Sequence, residues 1–468
     1  MELHLLLEEL IQIAQKTKTD FATSIRMTPS GLSKILTGKR LPTSRERKVF
    51  TKLAAEYFAE SIYAPNCHLK FKDLYPVIYE FQSKNELLAF LSYGIEYAMD
   101  KNFAQESSVN FDYAERGFYF LGHKPVINWL CVILSEYLME HKSGEPLELY
   151  STLPMWGFNY HRILKRIVIT NPKLLKGITF NHIISETRMR ETQVKNVEGL
   201  VSLFVKANEY CNLNLWSTPN PIPQHFLLIK GHVLLILDNL DETPFLTPIS
   251  HKSYLILFYN SLFKDKPKKI SFGTDEVIAY LKENPQQVAE LMTQTESTTY
   301  SFLPMGYLLQ KDELKQMHSD ETLVNFIENV HRGFLAGKMY FSAASMERLV
   351  AFGKLIVPLL GTMVIPPKER ALYLQRFNQF FQEEQWKKVT LINGELGDFV
   401  MVFTREAAIL YAVNSDGEKF HIFRQPQLRE LLKNSLLAET NIVFELSPDL
   451  WKAYQEDLLN NHSYLTQP

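Results

Sequence analysis

Helix start and stop signals crowd the first 60 residues of this 468-residue chain, and they restrict its local fold more tightly than any other feature. Thr17 is followed three residues later by Asp20, which is the spacing of an N-terminal capping box. Thr28 stands directly before Pro29, and proline is favoured at the first position of a helix. Gly38 lies where a glycine commonly ends one. These signals predict two short helices joined by a tight turn.

Apolar residues at helical spacing lie on both sides of this pair and predict two more helices. The four predicted helices cover residues 4–15, 18–26, 29–37 and 44 onwards, the last beginning at Ser44. The residues predicted to be buried are Leu6, Leu10, Ile13, Ala14, Phe21, Ala22, Ile25, Leu32, Ile35, Leu36, Val49, Leu53 and Ala54. Residues 1–62 are therefore predicted to form an all-α domain.

Charge is distributed unevenly along the chain. Ten basic and two acidic residues lie between Lys16 and Lys52, whereas the whole chain has a net charge of −2. A short basic module on an acidic body is the pattern expected of a nucleic-acid-binding domain joined to a larger one.

Residues 17–42 resemble the helix-turn-helix domains of the phage-repressor family, known as the Cro/C1 or xenobiotic-response-element type. The matching positions are Phe21-Ala22, Leu32-Ser33-Lys34 and Gly38-Lys39-Arg40-Leu41-Pro42. Two positions depart from the family pattern. Arg26 stands in the turn, where glycine is frequent, and Gly31 stands inside the second helix of the pair, where glycine is rare.

The resemblance implies a sequence-specific regulator that binds double-stranded DNA, usually as a homodimer that reads two half-sites. It implies base-reading roles near the start of the helix that enters the major groove, for Thr28, Ser30, Gly31, Ser33 and Lys34. It implies phosphate-binding roles for the flanking residues Lys18, Lys39, Arg40 and Ser44.

The rest of the chain predicts an α+β multidomain protein. Residues 63–145 have helical spacing and are predicted to be a helical connector that forms the dimer. After residue 146 the pattern alternates between strands and helices, and hairpins are predicted over residues 225–238 and 398–413. The predicted divisions of this body are an α/β half over 146–265, a helical linker region over 266–345 and a second α/β half over 346–468.

The order of helix, strand, hairpin and helix occurs twice, about 180 residues apart, and suggests two similar α/β halves. This layout, with His225 opening a hairpin strand, resembles the phospholipase D-type sensor domains of some Gram-positive DNA-binding regulators. Active members of that superfamily need His-x-Lys-x4-Asp in each half. Phe226 and Leu227 follow His225, and Val400–Thr404 holds no histidine, so the resemblance implies a degenerate domain that binds without catalysis.

Common catalytic and cofactor motifs are missing from the sequence. Gly38-Lys39 and Gly337-Lys338 lack the earlier glycine of a P-loop. His225, His232 and His251 are read as ordinary strand-end or core residues and not as metal ligands. No cofactor, no metal site and no catalytic residue is predicted, and the chain is expected not to be an enzyme.

The compartment is predicted from cysteine usage and hydropathy. The three cysteines, Cys67, Cys131 and Cys211, are far apart and form no Cys-x-x-Cys pair, which fits a reducing cytoplasm. The longest apolar runs fall short of the roughly 20 residues that span a membrane. We therefore expect a cytoplasmic protein without a membrane partner.

These observations favour a dimeric transcription regulator whose C-terminal body senses a small-molecule or peptide effector. Two alternatives stay open at this stage. One is a peptide-pheromone-responsive regulator, although no repeat period near 34 residues is visible. The other is a phosphodiesterase or nuclease guided to DNA by the N-terminal domain, which the missing His-x-Lys motifs disfavour.

Overall fold

The structure is a computed structural model that describes residues 1–63, 70–71, 73–78, 81–106, 120–140, 146–154, 178–191, 197, 199–222, 224–240, 242–264, 267–292, 297–380, 389–393, 396–414 and 417–462. The chain divides into two compact units. Unit 1 comprises Met1–Ile183, Tyr210–Asn212 and Ile222–Pro267. Unit 2 comprises Ile184–Glu209, Leu213–Pro221 and Lys268–Pro468.

Four helices open unit 1, as the sequence predicts. They are α1 (Leu3–Ala14), α2 (Lys18–Ser24), α3 (Pro29–Leu36) and α4 (Arg47–Ile62). The prediction that the fourth helix begins at Ser44 and buries Val49 is wrong. Thr43 and Glu46 close a hydrogen-bonded turn ahead of the helix, which begins at Arg47. Val49 lies on the solvent side of α4 and is 59% exposed.

Two long helices follow the first four and contact them. They are α5 (Lys84–Glu106) and α6 (His123–Glu140). Helices α1 and α4 both pack against α5, and α5 packs against α6. Aromatic and aliphatic side chains such as Phe90, Leu91, Trp129 and Leu130 are buried in this layer. The helical character predicted for residues 63–145 is confirmed in α5 and α6.

A mixed sheet completes unit 1. Its strands are β1 (Phe120–Leu121), β2 (Leu147–Ser151), β3 (Ile178–Ser185), β5 (His225–Ile229), β6 (Val233–Asp238) and β7 (Phe245–Ile249). Among the described residues these strands lie in the order β1-β7-β6-β5-β2-β3. Only the pair of β2 and β3 is parallel, in register Leu147↔Ile178, and the other neighbours are antiparallel. Helix α9 (Lys252–Leu262) follows β7.

Unit 2 begins with α7 (Glu186–Glu191), α8 (Leu200–Tyr210) and β4 (Asn212–Thr218), which pairs with β8 (Lys268–Lys269). Its large sheet has the order β18-β14-β11-β10-β15-β16-β17-β9. These strands are β9 (Ser271–Phe272), β10 (Thr298–Ser301), β11 (Lys338–Ser342), β14 (Val389–Asn393), β15 (Phe399–Phe403), β16 (Ala408–Asn414), β17 (Gly417–Phe423) and β18 (Asn441–Glu445).

The large sheet of unit 2 is covered by helices, and a small hairpin lies beside it. The helices are α10 (Thr274–Glu283), α11 (Pro285–Met292), α12 (Lys311–Met317), α13 (Glu321–Ala336), α14 (Ala343–Phe352), α15 (Pro367–Phe380), α16 (Pro426–Glu439) and α17 (Pro448–Asn461). The hairpin pairs β12 (Lys354–Val357) with β13 (Gly361–Val364). Met339, Leu391 and Val400 bring neighbouring strands into one apolar core with these helices.

The mixed α/β architecture is confirmed, and so are both predicted hairpins. One prediction is incomplete: residues 266–345, predicted to be helical, also contain β10 and β11, which pair with each other in parallel near the middle of the sheet. Cys67 lies outside the described residues. None of the described helices combines the length and apolarity required to cross a membrane.

Candidate nucleic-acid interface

The turn between α2 and α3 is built by hydrogen bonds at both helix ends. Thr17 Oγ1 accepts a hydrogen bond from the Asp20 amide at 3.1 Å and starts α2. At the end of α2, the amide of Arg26 donates to the Thr23 carbonyl and the amide of Met27 donates to the Ala22 carbonyl. This is a Schellman arrangement, which requires a left-handed residue. Arg26 adopts it with φ 57°.

Helix α3 is also capped by hydrogen bonds at both ends. Thr28 Oγ1 accepts a hydrogen bond from the Gly31 amide at 3.1 Å, and Pro29 occupies the first helical position. At the other end Gly38 has φ 69°, and the Lys39 amide donates to the Lys34 carbonyl at 2.9 Å. The backbone groups at both ends of α3 are therefore capped by residues of the chain itself.

The two faces of α3 differ in chemistry. Leu32, Ile35 and Leu36 are buried against neighbouring helices. The predicted base-reading residues Thr28, Ser30, Ser33 and Lys34 are all exposed, and Gly31 is half-buried among them. The structure thus brings the predicted set together on one solvent-facing surface, which we call the α3 face.

Gly31 allows a close approach within this face. A Cβ atom added there would lie 3.0 Å from Thr28 Oγ1, the atom that caps the helix. A larger residue would press on the cap, although it would raise the intrinsic helix propensity by about 1 kcal/mol. The glycine that departs from the family pattern is therefore compatible with this cap.

The predicted phosphate-binding residues are in two different states. Lys39 and Ser44 are exposed to solvent. Lys18 Nζ lies 2.7 Å from Glu8 Oε1, and Arg40 Nη2 lies 2.8 Å from Glu46 Oε2. Hydrogen bonds from the Thr43 amide and hydroxyl, and then from Arg40, lower the pKa of Glu46. A phosphate would have to compete with these carboxylates for Lys18 and Arg40.

The basic residues that begin α4 were not assigned roles from the sequence, and the structure separates them. Arg45 and Lys48 are exposed and extend the positive surface next to Ser44. Arg47 turns inward, where its Nη1 lies 2.5 Å from Oδ1 of the buried Asp100. Charge alone could not have distinguished them, because the difference depends on which side of α4 packs against α5.

The first helices are fixed to the α5 layer by polar contacts as well as apolar ones. The Leu3 amide donates to Asn102 Oδ1 at 2.6 Å. Arg47 also donates to the Glu96 carbonyl at 3.3 Å, beside its ion pair with Asp100. Burial raises the pKa of Glu96, and the positive charge of Arg47 opposes that shift. Helices α1 and α4 are therefore anchored to α5, and α3 packs against α1.

The histidines considered from the sequence do not converge. His225 Nδ1 lies 2.7 Å from the Thr152 carbonyl oxygen, His251 Nδ1 lies 2.7 Å from Ser253 Oγ, and the His232 ring packs near Tyr137. Across the part of the chain that the structure describes, no group of three or more His, Cys, Asp or Glu side chains is placed to hold a metal ion.

No protein-family model and no curated protein sequence matches this chain.

Proposed function

We propose that this protein is a sequence-specific DNA-binding transcription regulator and that α2 and α3 form its helix-turn-helix. The α3 face is the observation that carries the proposal. It presents polar side chains and one lysine on a rigidly capped helix, beside an exposed basic surface. A helix of this kind fits the major groove, where hydroxyl and ammonium groups read base edges.

Within this proposal the residues divide by chemistry. Ser30, Ser33 and Lys34 contact base edges, because they lie on the exposed side of α3. Lys39 and Ser44 contact phosphates from the loop after α3, and Arg40 and Lys18 join them when their carboxylate partners are displaced. The lysines give affinity through counterion release, and the α3 residues give specificity.

We infer that the body of the protein contains two related α/β modules, which would act as a sensing or oligomerising region. In unit 1 the strands run β7-β6-β5-β2-β3, and in unit 2 they run β17-β16-β15-β10-β11. Each series has three antiparallel pairs followed by one parallel pair. Each is also followed in the chain by a helix, α9 or α16. The shared order supports duplication.

A homodimer is part of the proposal, because one helix-turn-helix reads only a half-site. Helix α9 provides a face for a second copy. Tyr254, Ile256 and Leu257 are 61–65% exposed, and no residue between Lys252 and Lys264 is charged. A neutral apolar face suits a two-fold contact, since it meets its own copy without like-charge repulsion. Leu257→Lys should shift the dimer towards monomer in sedimentation equilibrium, whereas Leu437→Lys, at an exposed leucine of α16, should not.

DNA binding is tested by fluorescence anisotropy across a salt series, with DNA from upstream of the protein's own gene and random DNA for comparison. Lys34→Ala and Ser33→Ala should each weaken specific binding by about 1–3 kcal/mol. Lys39→Ala should weaken binding to all sequences alike and lower the salt slope by about one. Lys452→Ala, at an exposed lysine of α17, is the matched control and should change neither.

The outcomes separate the competing functions. If wild type binds both DNAs equally and Ser33→Ala changes neither affinity, the α3 face is only a non-specific basic patch. Failure to bind any DNA at low salt would overturn the proposal. Cleavage of DNA in the presence of magnesium would instead favour the DNA-guided nuclease.

A further inference from the structure

A cavity of about 200 Å³ lies inside unit 1, between the first helix and the α5–α6 layer. Its wall is mainly apolar, and Glu136 and Tyr75 are among its polar groups. We propose that this cavity is a binding site for a neutral, ring-sized, mainly apolar molecule that carries one hydrogen-bond donor. Nothing in the proposed function requires this site.

The volume of the cavity suits an aromatic ring. A dry apolar cavity of about 150 Å³ is enough to bind benzene. Leu6, Ala98 and Val132 bring three different helices to the wall, so the cavity is a gap between elements and not a defect within one. Met139 is 44% exposed at the end of α6 and marks the side from which a ligand can enter.

The polar groups in the wall restrict the charge of the ligand. Glu136 is 6% exposed, and its Oε1 forms ion pairs with Lys101 Nζ and the Met1 amino nitrogen. Its negative charge is therefore already compensated. A charged ligand would lose its hydration among these apolar side chains, which is costly, and a cation would in addition meet the two cations that already share the carboxylate. A neutral N–H or O–H donor can use the acceptor capacity of the carboxylate at no such cost.

Tyr75 forms a second polar point in the wall. A Cβ atom added to Gly94 would lie 2.4 Å from the Tyr75 hydroxyl, so the glycine allows this ring to lie directly against α5. Tyr75 is 4% exposed, and its ring packs edge-on against Phe90 at 4.9 Å between centroids. The hydroxyl is thereby held at a fixed place on the wall, which favours one ligand orientation.

Because of where the cavity lies, a bound ligand would influence the placement of α1. Leu6 belongs to α1, and α1 packs against α3 as well as α5. A ligand between α1 and the α5–α6 layer therefore favours one placement of α1, and with it one placement of the α3 face. This coupling rests on the proposed function, whereas ligand binding itself does not.

Binding is tested by isothermal titration of the full chain with indole, a neutral ring with one N–H donor. We expect saturable one-to-one binding. Benzylammonium and phenylacetate, which are cationic and anionic rings of similar size, should bind at least tenfold more weakly. Ala98→Leu, which fills the gap from α5, should weaken indole binding at least tenfold. Ala351→Leu, in α14 of unit 2, is the size-matched control and should leave it unchanged.

A second variant keeps the binding test valid if Ala98→Leu does not fold. Met139→Trp alters a half-exposed position at the entrance and should slow or weaken indole binding while circular dichroism stays as in wild type. The site is rejected if wild type does not bind indole, or if folded Ala98→Leu and Met139→Trp both bind it as wild type does.

The coupling is then read from DNA affinity. Saturating indole should change the affinity of wild type for its specific DNA at least threefold and leave Ala98→Leu unaffected. Indole binding with no change in DNA affinity would overturn the coupling. Absence of DNA binding under all conditions would reject the proposed function while the calorimetric result for the cavity stands.

Discussion

Arg26 adopts a backbone conformation that its residue type disfavours. Its φ of 57° lies in the left-handed region, where a side chain with a Cβ atom is strained and glycine is not. We expect Arg26→Gly to raise the free energy of unfolding by about 0.5–1 kcal/mol, because relief of strain exceeds the added flexibility of the unfolded chain. Urea titration measures the difference.

Arg26→Ala is the matched control, since it removes the same charge and keeps the Cβ atom. It should give no gain in stability, and both variants should bind DNA with similar affinity. If alanine stabilises as much as glycine does, the cause is removal of the positive charge and not the backbone conformation.

At the scale of the helix, the Thr28 cap determines how firmly α3 begins. Thr28→Ala removes the acceptor for the Gly31 amide and should lower the local stability of α3 by about 1 kcal/mol. Exchange of the backbone amides of residues 30–36 should then be about fivefold faster by hydrogen–deuterium exchange. Thr28→Ser keeps the hydroxyl and should exchange as wild type does; equal exchange in all three proteins would show that the cap contributes nothing.

The ion pair between α4 and α5 makes a sharper prediction about packing of elements. Asp100 is 3% exposed, so Arg47→Met leaves its carboxylate buried beside Glu96 without the nearby cation. We expect a loss of about 3 kcal/mol in the stability of unit 1. The double variant Arg47→Met with Asp100→Leu should recover most of it, since the fully buried carboxylate of Asp100 is removed together with its cation. A double variant no more stable than the single one would mean that packing of the Arg47 stem dominates.

The features of this fold that the sequence predicts are those set by residues close together in the chain. The caps at Thr17 and Thr28, and the hairpin turn at Gly231, depend on neighbouring residues and were found from the sequence. Strand β10, Thr-Thr-Tyr-Ser, was missed because its polar composition reads as a loop, yet its pairing between β11 and β15 buries it. The exposure of Val49 and the partner of Arg47 depend on contacts with α5, which no local pattern encodes.

For the whole molecule, the strand series β7-β6-β5-β2-β3 and β17-β16-β15-β10-β11 share one order of antiparallel and parallel pairs. The residues packed beside the second series include an unusual buried histidine. In unit 2, His331 is 3% exposed on α13, and neither ring nitrogen has a hydrogen-bond partner among the described residues. Its ring lies edge-on to Tyr307 at 5.5 Å between centroids. A neutral imidazole is therefore enclosed where a charged one would be poorly solvated.

This burial makes the stability of unit 2 depend on pH. Burial lowers the pKa of His331 from 6.5 to about 4, so the unfolded chain takes up the proton first. The stabilisation is complete above pH 6.5 and is lost as the pH falls from 6.5 to about 4, by about 3 kcal/mol in total. His331→Leu should weaken this dependence, whereas His318→Gln, at an exposed position of the same unit, should not. Hydrogen exchange of α13 amides at pH 7 and pH 5, corrected for intrinsic rates, measures the loss. If His331→Leu and wild type show equal pH dependence, the acid sensitivity arises from other groups. His421 is the first to examine, because burial also lowers its pKa to about 4.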